Sequence, residues 1–199
     1  EIVAKITSNT QVIPHMFVIL GARGRGKSTL LGIIAACLAN VEKASGGQRA
    51  LALTALHKNQ LAVVNQVFTN NSTNSLGDFK SSSITRLSFF APDDIISSAN
   101  KNSIVFIDEV ASISPDLLKR IVSHFTYIVM TGTTSGYEGS GNGFVKRVLP
   151  YFHSIKETIV YELTQPFRWL EEDPLEACFA RILSSGPNLL TNEVKQSIS

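Results

Sequence analysis

Eight consecutive residues, Gly21-Ala22-Arg23-Gly24-Arg25-Gly26-Lys27-Ser28, constrain this chain more than any other stretch, because they fit G-x-x-x-x-G-K-[S/T] at every required position. Glycines at these places permit backbone angles that a Cβ would forbid, so successive N–H groups can turn inward around a phosphate. Lys27 adds a full charge toward the outer phosphates of a nucleotide, Ser28 offers a hydroxyl to Mg²⁺, and Thr29 follows at the start of a helix. The pattern needs a buried strand ahead and a helix behind. His15 to Leu20 reads as the strand and Lys27 to Asn40 as the helix.

A second anchor lies further on. Ser103-Ile104-Val105-Phe106-Ile107-Asp108-Glu109 is an apolar strand ending in two carboxylates. In an open parallel sheet such a strand delivers its last residues to the edge where the phosphate loop stands. Asp108 can then hold Mg²⁺ through water beside Ser28, and Glu109 can orient and deprotonate an attacking water.

The rest of the chain alternates strand and helix patterns. Arg49 to Ala55, Ile84 to Phe90, Thr126 to Thr131 and Thr158 to Leu163 read as further strands; His57 to Phe68, Asp116 to Phe125 and a stretch from about Pro174 to Leu183 read as helices. Pro92-Asp93-Asp94 opens a short helix, Asn70 to Ser83 is a long polar surface loop, and Ser184 to Ser199 is a frayed tail. Glu1 to Ser8 resembles the tail of a helix, so the chain is expected to begin part-way through a longer protein. Residues 1–199 are expected to form one three-layer α/β/α P-loop NTPase domain with a mostly parallel sheet.

Composition serves mainly to exclude. With 44% hydrophobic and 17% charged residues the chain is expected to be globular rather than disordered. A net charge of +2 does not by itself announce nucleic-acid binding. Cys37 and Cys178 sit in helix-like apolar segments without C-x-x-C spacing, so free buried thiols and no zinc are expected. The apolar run Leu30 to Ala39 is too short for a bilayer and no signal layout is present, which points to a cytoplasmic protein with no membrane partner.

Several residues carry two readings. His57 and Lys58 could touch a nucleic-acid backbone or form a solvated helix start. A hydroxyl in Thr131-Gly132-Thr133-Thr134, Thr131 in particular, could sense the γ-phosphate or simply end a strand. Ser135 to Phe144 holds four glycines in ten residues and suits a loop that clasps something; Lys146 and Arg147 in the short basic helix Val145 to Leu149 could meet RNA phosphates or solvent. Arg168 could stabilise charge on the γ-phosphate or pair with Glu171, Glu172 or Asp173, and Trp169 reads as packing.

The phosphate loop at 21–28, Phe-Phe-Ala-Pro-Asp at 89–93, Ile-Asp-Glu-Val-Ala at 107–111, Gly-Tyr-Glu-Gly-Ser-Gly-Asn-Gly-Phe at 136–144 and Gln-Pro-Phe-Arg-Trp at 165–169 together resemble the helicase-like ATPase module of the tRNA(Met) cytidine acetyltransferases. The glycine-rich loop and the Pro-Phe-Arg-Trp segment are the specific parts. The resemblance implies a RecA-like fold, ATP and Mg²⁺ as cofactors, and a parent enzyme that transfers acetyl from acetyl-CoA to N4 of the wobble cytidine of elongator tRNA(Met). It places Lys27, Ser28, Asp108, Glu109 and Arg168 at family nucleotide-site positions, and it implies an acetyltransferase domain of the same polypeptide after Ser199.

Overall fold

In the computed structural model the described residues are 1–7, 15–46, 49–56, 61–72, 87–134 and 144–165. They form six strands in one sheet, β1 (His15–Gly21), β2 (Leu51–Thr54), β3 (Leu87–Phe89), β4 (Ile104–Ile107), β5 (Tyr127–Thr133) and β6 (Glu157–Leu163). The order across the sheet is β3-β2-β4-β5-β1-β6, and every pairing is parallel. Parallel neighbours need crossovers, which are supplied by α2 (Lys27–Ala44), α3 (Ala62–Ser72), α4 (Ile95–Ser98), α5 (Pro115–His124), and a π-helical turn, Phe144–Val148, that runs into α6 (Leu149–Ile155). A short α1 (Ile2–Thr7) precedes them.

Helices on both faces explain why β2 and β4 are buried at every position: each side chain of Leu-Ala-Leu-Thr and Ile-Val-Phe-Ile has a helical layer to enter. The two-residue period divides the core. Phe17, Ile19, Phe106 and Val129 point to the layer of α1, α2 and α3, whereas Met16, Val18, Val105 and Ile128 point to the layer of α4, α5 and α6. The architecture is the expected three-layer α/β/α arrangement with a RecA-like parallel sheet.

Boundaries differ from expectation for local reasons. Helix α2 continues past Asn40 to Ala44 because Glu42, only 2% exposed, faces inward and is met by Arg49, whose Nε donates to Glu42 Oε1 at 2.7 Å. The same guanidinium donates to the Ile6 carbonyl at 3.1 Å and lies 5.3 Å from the centre of the Tyr127 ring, so one side chain joins α1, α2, the approach to β2 and β5. Helix α3 continues through Asn70 and Asn71 to Ser72, residues expected in a loop. There Thr69 Oγ1, Asn71 Nδ2 and Ser72 Oγ donate to the carbonyls of Asn65, Val67 and Phe68, four residues back, so these polar side chains bond along the helix instead of ending it. Strand β5 extends two residues past Thr131. Cys37 is a free thiol but exposed on the outer side of α2, four residues from exposed Ile33, which corrects the expectation of a buried one. No helix among the described residues is long and apolar enough to cross a membrane.

Candidate nucleotide site

Strand β1 ends at Gly21, and the chain then turns through Gly24 (φ 81°) and Gly26 (φ 78°), both in the left-handed region that side chains disfavour, before α2 starts at Lys27. Gly26 at the N-cap position has no side chain to satisfy the first amides of the helix, so these donors and the positive end of the helix dipole serve the wall of a cleft. That cleft, about 620 Å³, is lined by residues 23–30 of the loop and helix, and across from them by Glu109 and Thr133. Leu30, Ile33 and Val63 make one flank apolar.

Lys27 is 8% exposed, and its Nζ donates to the Gly21 and Ala22 carbonyls, both at 3.0 Å. Burial pushes its pKa below the ordinary lysine value; Glu109 and Asp108 oppose this, and Arg23 and Arg25 add to it. A cation so placed gains from any anion that arrives in the cleft.

The facing wall is built by sheet order. Strand β5 lies between β1 and β4, so Thr131 stands beside Asp108 and Thr133 pairs in register with Gly21. Asp108 is 4% exposed; it accepts from Ser28 Oγ on Oδ2 at 2.9 Å and from Thr131 Oγ1 on Oδ1 at 2.6 Å. Burial raises its pKa above the ordinary carboxylate range, against these two hydrogen bonds. A hydroxyl and a carboxylate in contact could serve an ion such as Mg²⁺, which keeps waters in its shell.

Glu109 adopts φ 52°, ψ 63°, a left-handed conformation that costs a non-glycine residue roughly 1–3 kcal/mol. It is held there from both sides. Its amide donates to Thr131 Oγ1 at 3.1 Å, and its carbonyl accepts from Ser112 N at 3.0 Å and Ser112 Oγ at 2.7 Å. The side chain thereby turns into the cleft, where Oε2 accepts from Thr133 Oγ1 at 2.7 Å and Oε1 from Thr133 N at 3.3 Å.

Of the residues singled out in the sequence, 23–29 and Glu109 line the cleft, Gly21 and Ala22 hold Lys27, and Asp108 lies behind Ser28. Thr131 does not reach the cleft: it is fully buried, and its hydroxyl serves Asp108 and the Glu109 amide. Thr133 is the threonine that lines the cleft, and the pattern of the strand exit alone did not separate the two. Arg168, Trp169, His57, Lys58 and the glycine-rich segment before Phe144 lie outside the described residues.

With this geometry in hand, the family described as RNA cytidine acetyltransferase NAT10/TcmA, helicase domain, matches residues 18–185 of the chain. The chain belongs to this family. Among curated relatives, the tRNA(Met) cytidine acetyltransferase TmcA of Actinobacillus pleuropneumoniae serotype 5b (strain L20) is 33% identical over 180 residues, covering 88% of this chain and 26% of that protein. The TmcA of Nitrosococcus halophilus (strain Nc4) is 31% identical over 191 residues, covering 92% and 24%. The chain therefore spans about a fifth to a quarter of the length of the curated relatives it matches, and the part it spans is the helicase domain of the NAT10/TcmA family. Among solved structures, the flagellar accessory protein FlaH from Methanocaldococcus jannaschii aligns with a TM-score of 0.46 and 15% identity over 75% of this chain and 72% of that one. The arterivirus nonstructural protein 10 helicase aligns at 0.43 and 16%, over 74% and 35%.

Proposed function

We propose that this chain is the Mg²⁺-dependent ATP-binding and hydrolysing module of a cytoplasmic tRNA-modifying enzyme, and that its turnover supports N4-acetylation of the wobble cytidine of elongator tRNA(Met). The observation that carries this is that Lys27, Ser28 and Glu109, from two stretches 80 residues apart, line one cleft, with Asp108 bonded to Ser28 behind them. Lys27 and the loop amides 23–29 would stabilise charge on the β- and γ-phosphates. Ser28, and Asp108 through water, would hold Mg²⁺, which supplies charge neutralisation between the phosphate oxygens. Glu109 would take a proton from the water whose oxygen attacks the γ-phosphorus as the β–γ bridge breaks. Arg168 would add positive charge at the γ-phosphate. Acetyl-CoA and acetyl transfer belong to an acetyltransferase domain elsewhere in the parent polypeptide.

A second reading, a nucleotide-dependent docking module with negligible turnover in isolation, is favoured by one observation: both Glu109 oxygens are engaged by Thr133 rather than directed at open space. Phosphate release by the purified chain, with and without tRNA, separates the two. On the hydrolytic reading, Glu109→Gln lowers turnover by about 10²–10⁴-fold while ATP binding persists. Binding without turnover under either condition supports docking instead.

A further inference from the structure

The polar face of the α5–α6 layer takes no part in the cleft, yet it is basic. Residues 115–124 and 144–155 carry four Lys/Arg against one Asp, a net +3, in a chain whose total is +2. Lys119 Nζ lies 5.1 Å from the centre of the Tyr151 ring, which brings α5 and α6 together at the surface. Lys146 and Arg147, both exposed, lie one turn before Tyr151 in the same continuous helical segment. On the other side of Lys119, a groove of about 400 Å³ between α4 and α5 is lined by Arg120, Ser123 and His124 with Ile96. The one acid, Asp116, sits 3.7 Å from Lys119 with its side chain 96% exposed, a rim pair that solvent largely screens.

We infer that this face is a contact surface for an RNA backbone, with Lys119, Arg120, Lys146 and Arg147 meeting phosphates and the groove beside Ser123 and His124 seating the sugar-phosphate chain. Its chemistry favours RNA over an acidic protein. Protein interfaces centre on desolvated apolar anchors, whereas the groove here is lined by Lys119, Arg120, Ser123 and His124 with Ile96 as its one apolar residue, and α6 adds the exposed Tyr151 and Ile155 beside it. Arginine and lysine spread over two helices suit successive phosphates better than one ligand. The inference deepens the proposed role in tRNA modification by naming the face that meets RNA, and it rests on that reading.

The test is fluorescence anisotropy of a labelled tRNA(Met) transcript with the whole chain over a series of salt concentrations, alongside calorimetry with ATP. The double variant Arg120→Glu/Arg147→Glu is expected to bind the transcript at least about tenfold more weakly and to flatten the slope of log K against log salt by about 1.5, the loss of two phosphate contacts. Lys43→Glu, on the opposite helical layer, leaves tRNA binding unchanged, and both proteins keep the ATP heat of the wild type. Should the double reversal fail to fold, Arg120→Gln/Arg147→Gln reads the same slope at about half the charge change. Affinity equal to that of the Lys43→Glu control overturns the face while leaving the nucleotide reading intact. Polyglutamate competing as well as tRNA reassigns the face to an acidic protein. A wild-type chain that takes ATP but no tRNA overturns both the face and the RNA part of the proposed function.

Discussion

The two walls of the cleft are made differently. The loop wall is main chain plus cations: glycines at φ near 80°, helix amides, the Lys27 ammonium resting on carbonyls a few residues away, and Arg23 and Arg25. The opposite wall is side chains bonded to one another, Thr131 to Asp108, Asp108 to Ser28 and Thr133 to Glu109, supplied by the ends of two neighbouring strands. A wall of amides and cations attracts any phosphate. A wall of paired carboxylates and hydroxyls repels an unmetallated anion and favours a triphosphate accompanied by a divalent ion and a water. Affinity is therefore expected to depend on the first wall, and turnover and metal dependence on the second.

Variants that strike one wall at a time sharpen that division. The largest effect is expected from Lys27→Ala, which removes the buried cation and should weaken ATP binding by on the order of 10²–10³-fold in calorimetric titration. A loss under threefold would show that the amides and the two arginines suffice without Lys27.

The next effects separate the two threonines. Thr133→Ala frees Glu109 Oε2, leaves the residue-133 amide on Oε1 and does not touch Asp108, so phosphate release should change by about tenfold while the melting temperature holds. Thr131→Val leaves a buried Asp108 oxygen and the Glu109 amide without their partner, and should cost about 1–3 kcal/mol in denaturant unfolding of the nucleotide-free chain. If the two variants behave alike, the distinction between a positioning and a structural threonine is wrong.

Much of this was legible in the sequence because the parts are consecutive. Residues 21–28 carry their geometry in their spacing, and the apolar run 104–107 announces both its burial and the position of the acids that follow it. What could not be read locally depends on strand order. Thr133 meets Gly21 and Glu109 only because β5 inserts between β1 and β4. The Glu42–Arg49 pair was hidden for a related reason, since a glutamate late in a helix resembles a solvated one until the chain returns with an arginine. The polar end of α3 misled because Thr, Asn and Ser favour loops until their side chains bond back along a helix.

The smallest expected effect lies away from both walls and checks that the layer behind them is ordered as described. Lys156 Nζ donates to the Val122 carbonyl at 2.8 Å and to that of Phe125, closing the C-terminal end of α5, and burial lowers its pKa to about 8. Because its folded value lies below its unfolded one near 10.5, this group's contribution to stability is full above 10.5 and is lost as pH falls through about 8. Thermal melts of wild type and Lys156→Met should therefore diverge in favour of wild type between these values, by at most roughly 2 °C given its partial exposure. A difference that shrinks as pH rises would contradict the buried placement of this amine.

The central claim, that both walls act on one triphosphate and its metal, is tested most directly by titrating ATP into the chain calorimetrically in Mg²⁺ and again in EDTA. The account predicts saturable one-to-one binding in Mg²⁺ that weakens markedly when the ion is removed. No heat in Mg²⁺, or identical isotherms in both buffers, would contradict it.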